Sequence, residues 1–176
     1  MGHSYGGNLL FDALPMLPRL RGLLAVGAPP ISTGADAGQA FRFDETGGLF
    51  YAPALTADQA LDLARYVLQP IPDPADVTRL LADLTRADGR FRAATAAAIA
   101  AGALADERGH VQVTPVPLAF AAGEFDPLLN PGYFDTLPAP TLWGQHLHRV
   151  PAASHLPMLE NPAAFNALLL AFADGE

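Results

Sequence analysis

The 176-residue chain contains no cysteine and no lysine. The first absence excludes a disulfide framework, a thiolate metal site and a cysteine nucleophile. The second leaves ten basic residues, all arginines, against 18 acidic ones and a net charge of -8. With no basic stripe to neutralise phosphates, nucleic acid is not an expected partner. Charge is scarce altogether, at 16% of residues against 51% hydrophobic, a balance that suits strands buried on both faces or a surface meant to be covered. Long apolar runs are missing too. The stretch 93–105 is mostly alanine and too short to span a bilayer, so no membrane partner is expected. No charged segment leading into an apolar core opens the chain, and a cytoplasmic location is the expectation. The length suits one domain with a sizeable core.

What the chain does have begins at its second residue. Gly2-His3-Ser4-Tyr5-Gly6-Gly7 fits G-x-S-x-G, a sharp, strained turn between a strand and a helix that holds a serine hydroxyl clear of the backbone. Gly2 and Gly6 flank Ser4 where a Cβ would collide as strand and helix approach, and Gly7 lets the helix start tightly. The helix N-terminus carries unpaired N–H groups and partial positive charge, so the Tyr5 amide can donate to a developing oxyanion. The helix follows in Leu9, Leu10, Ala13 and Leu14, but only Met1 lies upstream to supply the strand.

The continuous apolar run 22–28 reads as a parallel strand buried on both faces. Residues 31–54 show no clear period. Thr56 with Gln59 then forms a capping box, Asp73-Pro74 starts a second helix, and a largely alanine helix runs over 90–104. These read as a helical insertion. Strand character returns at 116–122 and ends in Gly123-Glu124-Phe125-Asp126-Pro127, while 145–150 alternates as a strand and leads to Ser154-His155. Asn161-Pro162 caps a last helix whose Phe165, Leu168, Leu169 and Phe172 form an apolar stripe. A carboxylate just past a buried strand lies where α/β sheets place catalytic groups, although Asp126 before a proline, taken alone, reads more readily as a helix cap or turn residue. Glu124 is its nearest rival and Asp135 a weaker one. Taken together, Ser4, Asp126 and His155 follow the chain order of one of the known serine triads.

On GHSYGG, GLLAVGAPP, GEFDPLLNPGYF and HRVPAASHLPMLENPAAFNALLLAF, the chain resembles the α/β-hydrolase superfamily along its whole length, in the form of capped serine hydrolases. The resemblance implies Ser4 as nucleophile, His155 as general base and then acid, Asp126 as its orienting partner, and Tyr5 as an oxyanion donor. It implies a hydrolase core from 1–30 and 114–176 and a helical cap from 31–113. The substrate would be an ester or similar small acyl compound, with no cofactor and no metal. In that family about five strands precede the elbow. The expected fold class is therefore a partial α/β-hydrolase fold, with three C-terminal strands of a mostly parallel sheet, flanking helices and the cap. The inner edge of the 22–28 strand would stand open, giving two expected partners besides substrate: an N-terminal half, or a second copy across that edge. A catalytically impaired fragment, one half of a split hydrolase, and an acyltransferase of the same superfamily are the alternative functions.

Other residues read more plainly. His146 and His148 lie two apart on a strand, but without cysteine or a nearby carboxylate pair they make a poor metal site. His110 is expected to open a strand at the surface. Trp143, Phe41, Phe43 and Phe50 are expected to pack core or cap rather than substrate.

Overall fold

In the run 22–28 every second residue faces the same side, and the two sides bury into different clusters. β1 (Gly2–His3), β2 (Leu23–Val26), β3 (Leu118–Gly123) and β4 (Leu142–Val150) form a parallel sheet in that order in the computed structural model, which describes residues 1–42 and 44–175. Phe43 lies outside the described residues. Leu23, Ala25, Leu118 and Phe120 share one cluster with Phe11 and Val111, while Leu24, Val26, Ala119 and Ala121 share the other with Val150 and Phe165. This two-faced burial requires the unbroken apolar run that the sequence shows. Each fully buried large side chain contributes roughly 1.5–3 kcal/mol by leaving water.

The sheet has four strands where three were expected. Gly2 and His3 pair with Ala25 and Val26, so the inner edge of β2 is covered along that half. Two residues after a single methionine give no periodicity to read, which hid this strand.

α1 (Tyr5–Ala13) packs on the first face of the sheet through Phe11. Capping side chains punctuate the insertion: Thr33 and Asp36 box α2 (Gly34–Ala40), Asp44 caps α3 (Glu45–Gly48), and Thr56 with Gln59 boxes α4 (Ala57–Tyr66). Asp73 then caps α5 (Pro74–Arg86), and Asp88 caps α6 (Gly89–Ala100). Each cap satisfies a backbone N–H that the helix leaves unpaired, worth about 1 kcal/mol. α4 and α5 bury Ala64, Val67, Leu68 and Val77 in a cluster of their own, which extends to Leu128 and Leu156 in the loops after β3 and β4. α6 buries no residue at all.

His110 does not open a strand. It lies in α7 (Glu107–Val113), because Asp106 accepts from the Gly109 N–H and starts a helix there despite the β-branched valines. α7 packs against α1 and buries Val111 in the sheet's cluster. After β4 come the single turn α8 (Pro157–Glu160) and α9 (Pro162–Asp174), the latter capped by Asn161 and covering the second sheet face through Phe165. Trp143 stacks on His148 and tilts against Phe172 of α9, as a packing residue does.

Candidate active site

Ser4 joins β1 to α1 with φ 50° and ψ -130°, a backbone region that costs a non-glycine residue of order 1–3 kcal/mol. The turn is held from both sides. Ser4 N–H donates to Val26 O at 2.8 Å, and Ser4 O accepts from Gly7 N–H at 2.8 Å. A Cβ on Gly2 would lie 2.6 Å from Gly6 O, and one on Gly7 would collide with the Cβ of Ala28. The corresponding position on Gly6 is open space. The close approach therefore rests on Gly2 and Gly7, not on Gly2 and Gly6 as the motif suggested. Tyr5 opens α1, so its N–H has no intrahelical acceptor ahead of it.

His155 is fixed by every part of its own backbone. Its N–H donates to Val67 O of the α4 end at 3.1 Å, and its carbonyl accepts from His3 Nε2 at 2.7 Å. The amides on either side, Ser154 and Leu156, both donate to Glu160 Oε2, at 2.9 and 3.0 Å. Its ring Nδ1 lies 2.8 Å from Asp126 Oδ2, with the two side chains 5% and 3% exposed. Asp126 is held in turn by the Leu128 N–H on Oδ1 at 3.0 Å. This geometry fixes the imidazole tautomer: Nδ1–H donates to the carboxylate and Nε2 is left free.

Two residues that the motif left without a role shape this pair. Gly27, at the end of β2, has φ +61°, and a Cβ there would sit 3.0 Å from His155 Cε1 and 3.2 Å from Nδ1. His3 stands beside His155 with ring centroids 4.8 Å apart. Burial, reinforced by His155, lowers the His3 pKa to about 4, so its Nε2 is an N–H donor at neutral pH. Both depend on contacts across more than a hundred residues, and only their proximity to the Ser4 and Pro29-Pro30 stretches was visible in the sequence.

Ser4, Tyr5 and His155 line one cavity of about 270 Å³, with Asp126 behind His155. Among the described residues no hydrogen bond joins Ser4 to His155. The rest of the lining is largely apolar and comes from the insertion: Phe41, Phe50, Tyr51, Leu84 and Phe91, with Arg92 as its one cation. Phe41 and Phe50 thus face the cavity as well as packing into clusters, beyond the purely packing role expected of them. Glu124 turns away from the histidine and accepts from Ala152 N–H at 3.1 Å, and Asp135 is exposed in the turn 131–136. His146 and His148 stand 4.3 Å apart by ring centroid. Among the described residues no three His, Cys, Asp or Glu side chains gather to hold a metal ion, and no helix is long and apolar enough to cross a membrane.

The family model described as "Alpha/beta hydrolase family" matches residues 1–168. No curated protein sequence matches the chain. Among solved structures, the N-acyl homoserine lactonase AidH complexed with N-butanoyl homoserine superposes with a TM-score of 0.87 at 26% identity, over 98% of this chain and 61% of the lactonase. The esterase RhEst1 from Rhodococcus sp. ECU1013 gives a TM-score of 0.75 at 17% identity over 97% of this chain and 62% of the esterase. A thermophilic esterase from Thermogutta terrifontis gives 0.71 at 19% over 99% and 63%. The chain thus spans somewhat under two thirds of the length of each.

Proposed function

Because the chain belongs to the alpha/beta hydrolase family, we propose that it cleaves carboxylic esters, lactones included, through an acyl-enzyme on Ser4. The observation that carries this reading is the buried Nδ1–carboxylate bond of His155 and Asp126, with His155 lining the same cavity as a strained Ser4 and Asp126 behind it. Ser4 Oγ attacks the ester carbonyl carbon as its proton passes to His155 Nε2, and Asp126 stabilises the imidazolium through Nδ1–H. The tetrahedral oxyanion accepts from Tyr5 N–H. The alcohol leaves with the proton from Nε2, and a water deprotonated by the same nitrogen then releases the acid. The Ser4–His155 hydrogen bond that this step needs forms around the substrate, as catalytic hydrogen bonds tighten in the complex.

In this reading α2 to α6 form the cap, short of the expected 31–113 because α7 packs on α1 and the sheet, and the phenylalanines of the cap suit small, apolar acyl or alcohol groups. Neutral His3 acts as a positioning residue that fixes the His155 carbonyl without adding charge. The similarity to a lactonase at 26% identity supports cyclic esters within the class. The test is labelling of the chain with a fluorophosphonate, compared with Ser4→Ala and His155→Ala, alongside turnover of a short-chain nitrophenyl ester and a γ-lactone. Labelling lost in both variants supports the assignment; labelling that survives Ser4→Ala sinks it.

A further inference from the structure

A second cavity, of about 390 Å³, continues from the one at Ser4. Tyr5, Asn8, Phe41 and Tyr51 line both, so the two are compartments of a single space. α6 roofs them in sequence: Phe91, Arg92 and Thr95 over the first, and Ala96, Ile99 and Ala100 over the second. The short alanine side chains leave the second compartment its room. Its walls are apolar except at the base, where α1 meets α7. Asn8 lies there, one helical turn and so ~6 Å along the axis from Ser4, and Glu107 beside it is 7% exposed.

The two oxygens of Glu107 have different surroundings. Oε2 accepts from Asn8 Nδ2 at 2.8 Å and from Ile31 N–H at 2.9 Å. Oε1 has no hydrogen-bond partner among the described residues, yet it is not sealed off as the hydroxyl of Thr141 is. That oxygen therefore stands as an open acceptor at the compartment wall, and a ligand displacing the water that reaches it must supply a donor in its place. The proposed ester hydrolysis uses neither Glu107 nor Asn8.

We propose that the second compartment binds the part of the substrate remote from the scissile bond, an apolar group bearing one hydrogen-bond donor such as an amide N–H, and that Glu107 Oε1 accepts this donor. Glu107 is then a specificity-determining residue, and Asn8 and the Ile31 amide aim it. The assignment of which substrate end lies here rests on the hydrolase reading above; the recognition itself does not.

The test uses N-butylacetamide and butyl acetate, which share a shape and differ in an N–H against an oxygen, titrated by ligand-observed NMR into the full chain carrying Ser4→Ala to prevent turnover. Burial, with Asp12 nearby, pushes the Glu107 carboxyl up to about 7, so the titration is run at about pH 8.5, where the group is ionised. The amide is expected to bind about tenfold more tightly than the ester, the range of one hydrogen bond to a charged group. Adding Glu107→Gln keeps a carboxamide oxygen for Asn8 and Ile31 and turns an NH2 group to the compartment, so the preference should vanish or reverse. Ala96→Phe, which fills the compartment from the roof, should weaken both ligands. An amide preference that persists in Glu107→Gln overturns the proposal, as does equal binding of both ligands by the parent or binding unaffected by Ala96→Phe. Fluorophosphonate labelling of the wild-type chain separates the two readings: failure to label with the amide preference intact removes the hydrolase assignment alone.

Discussion

Below the cavity, β2 and β3 are buried along their full length and the turn at Ser4 is held in a strained backbone by hydrogen bonds on both sides. Above it, α6 buries no residue, and its Phe91 remains 56% exposed while resting edge-on against Tyr5 at 5.3 Å. One wall is fixed by packing and polar networks that leave no room for a Cβ at Gly2 or Gly7. The other is a capped, alanine-rich helix resting on a few side chains and on the Arg92 Nε bond to Ala52 O at 3.0 Å. In the proposed reaction, the chemistry that needs sub-ångström placement would fall to the sheet side, and accommodation of different substrates to the helices between β2 and β3.

The largest break in this contrast should come from the floor. Ser4→Ala is expected to lower ester turnover by ~10³-fold or more with little change in melting temperature, and His155→Ala to lower it as much but with a reduced melting temperature, because Asp126 is left buried without its partner; a loss of turnover below tenfold would place the chemistry elsewhere. Gly27→Ala comes next. Its Cβ would press on the His155 ring from a positive-φ position, so kcat should fall by roughly 10²-fold and stability by about 1 kcal/mol, read by kinetics and thermal melting together.

Titration sharpens the comparison within the floor itself. His3 is neutral in the fold, with its pKa lowered from 6.5 to about 4, so its contribution to stability is present above 6.5 and is lost as pH falls toward 4. Glu107 is raised from 4.5 to about 7, so its contribution is present below 4.5 and is lost as pH rises toward 7. Each amounts to roughly 3 kcal/mol at full extent, with opposite slopes over nearly the same window. Melting temperature should rise with pH between about 4.5 and 6.5 in Glu107→Gln and fall in His3→Gln relative to the parent; parallel curves for all three would remove both assignments. The smallest effect should come from the roof. Phe91→Ala is expected to cost at most ~1 kcal/mol and to raise KM for bulky esters while leaving fluorophosphonate labelling of Ser4 unchanged, and a comparable loss of kcat would erase the distinction between the two walls.

Those parts of the molecule that repeat a local pattern were readable in advance. The apolar runs at 22–28 and 116–122, the Thr56–Gln59 box and the Asn161-Pro162 cap each carry their own period or cap, and each forms the element expected. α2 and α3 escaped notice although Thr33, Asp36 and Asp44 are capping residues, because such short helices offer no full hydrophobic period. The strand expected to open at His110 is the helix α7, which Asp106 caps from just upstream. Within the site, the sequence could offer Glu124 and Asp126 only as neighbours in one loop. Which of them meets His155 depends on the direction of the chain leaving β3, and Glu124 is drawn instead to the Ala152 amide. The contributions of His3, Gly27 and Glu160 are tertiary throughout.

The clamp on His155 has a mechanical consequence. Its amide, its carbonyl and both flanking amides are already engaged, so the main chain there has no hydrogen bond left to exchange during a catalytic cycle. The imidazole is thus a short arm on a fixed pivot, anchored at Asp126 through Nδ1. In the proposed ester cleavage, a proton would then pass from one oxygen to another through the Nε2 edge alone, with almost no reorganisation of the surrounding dipoles.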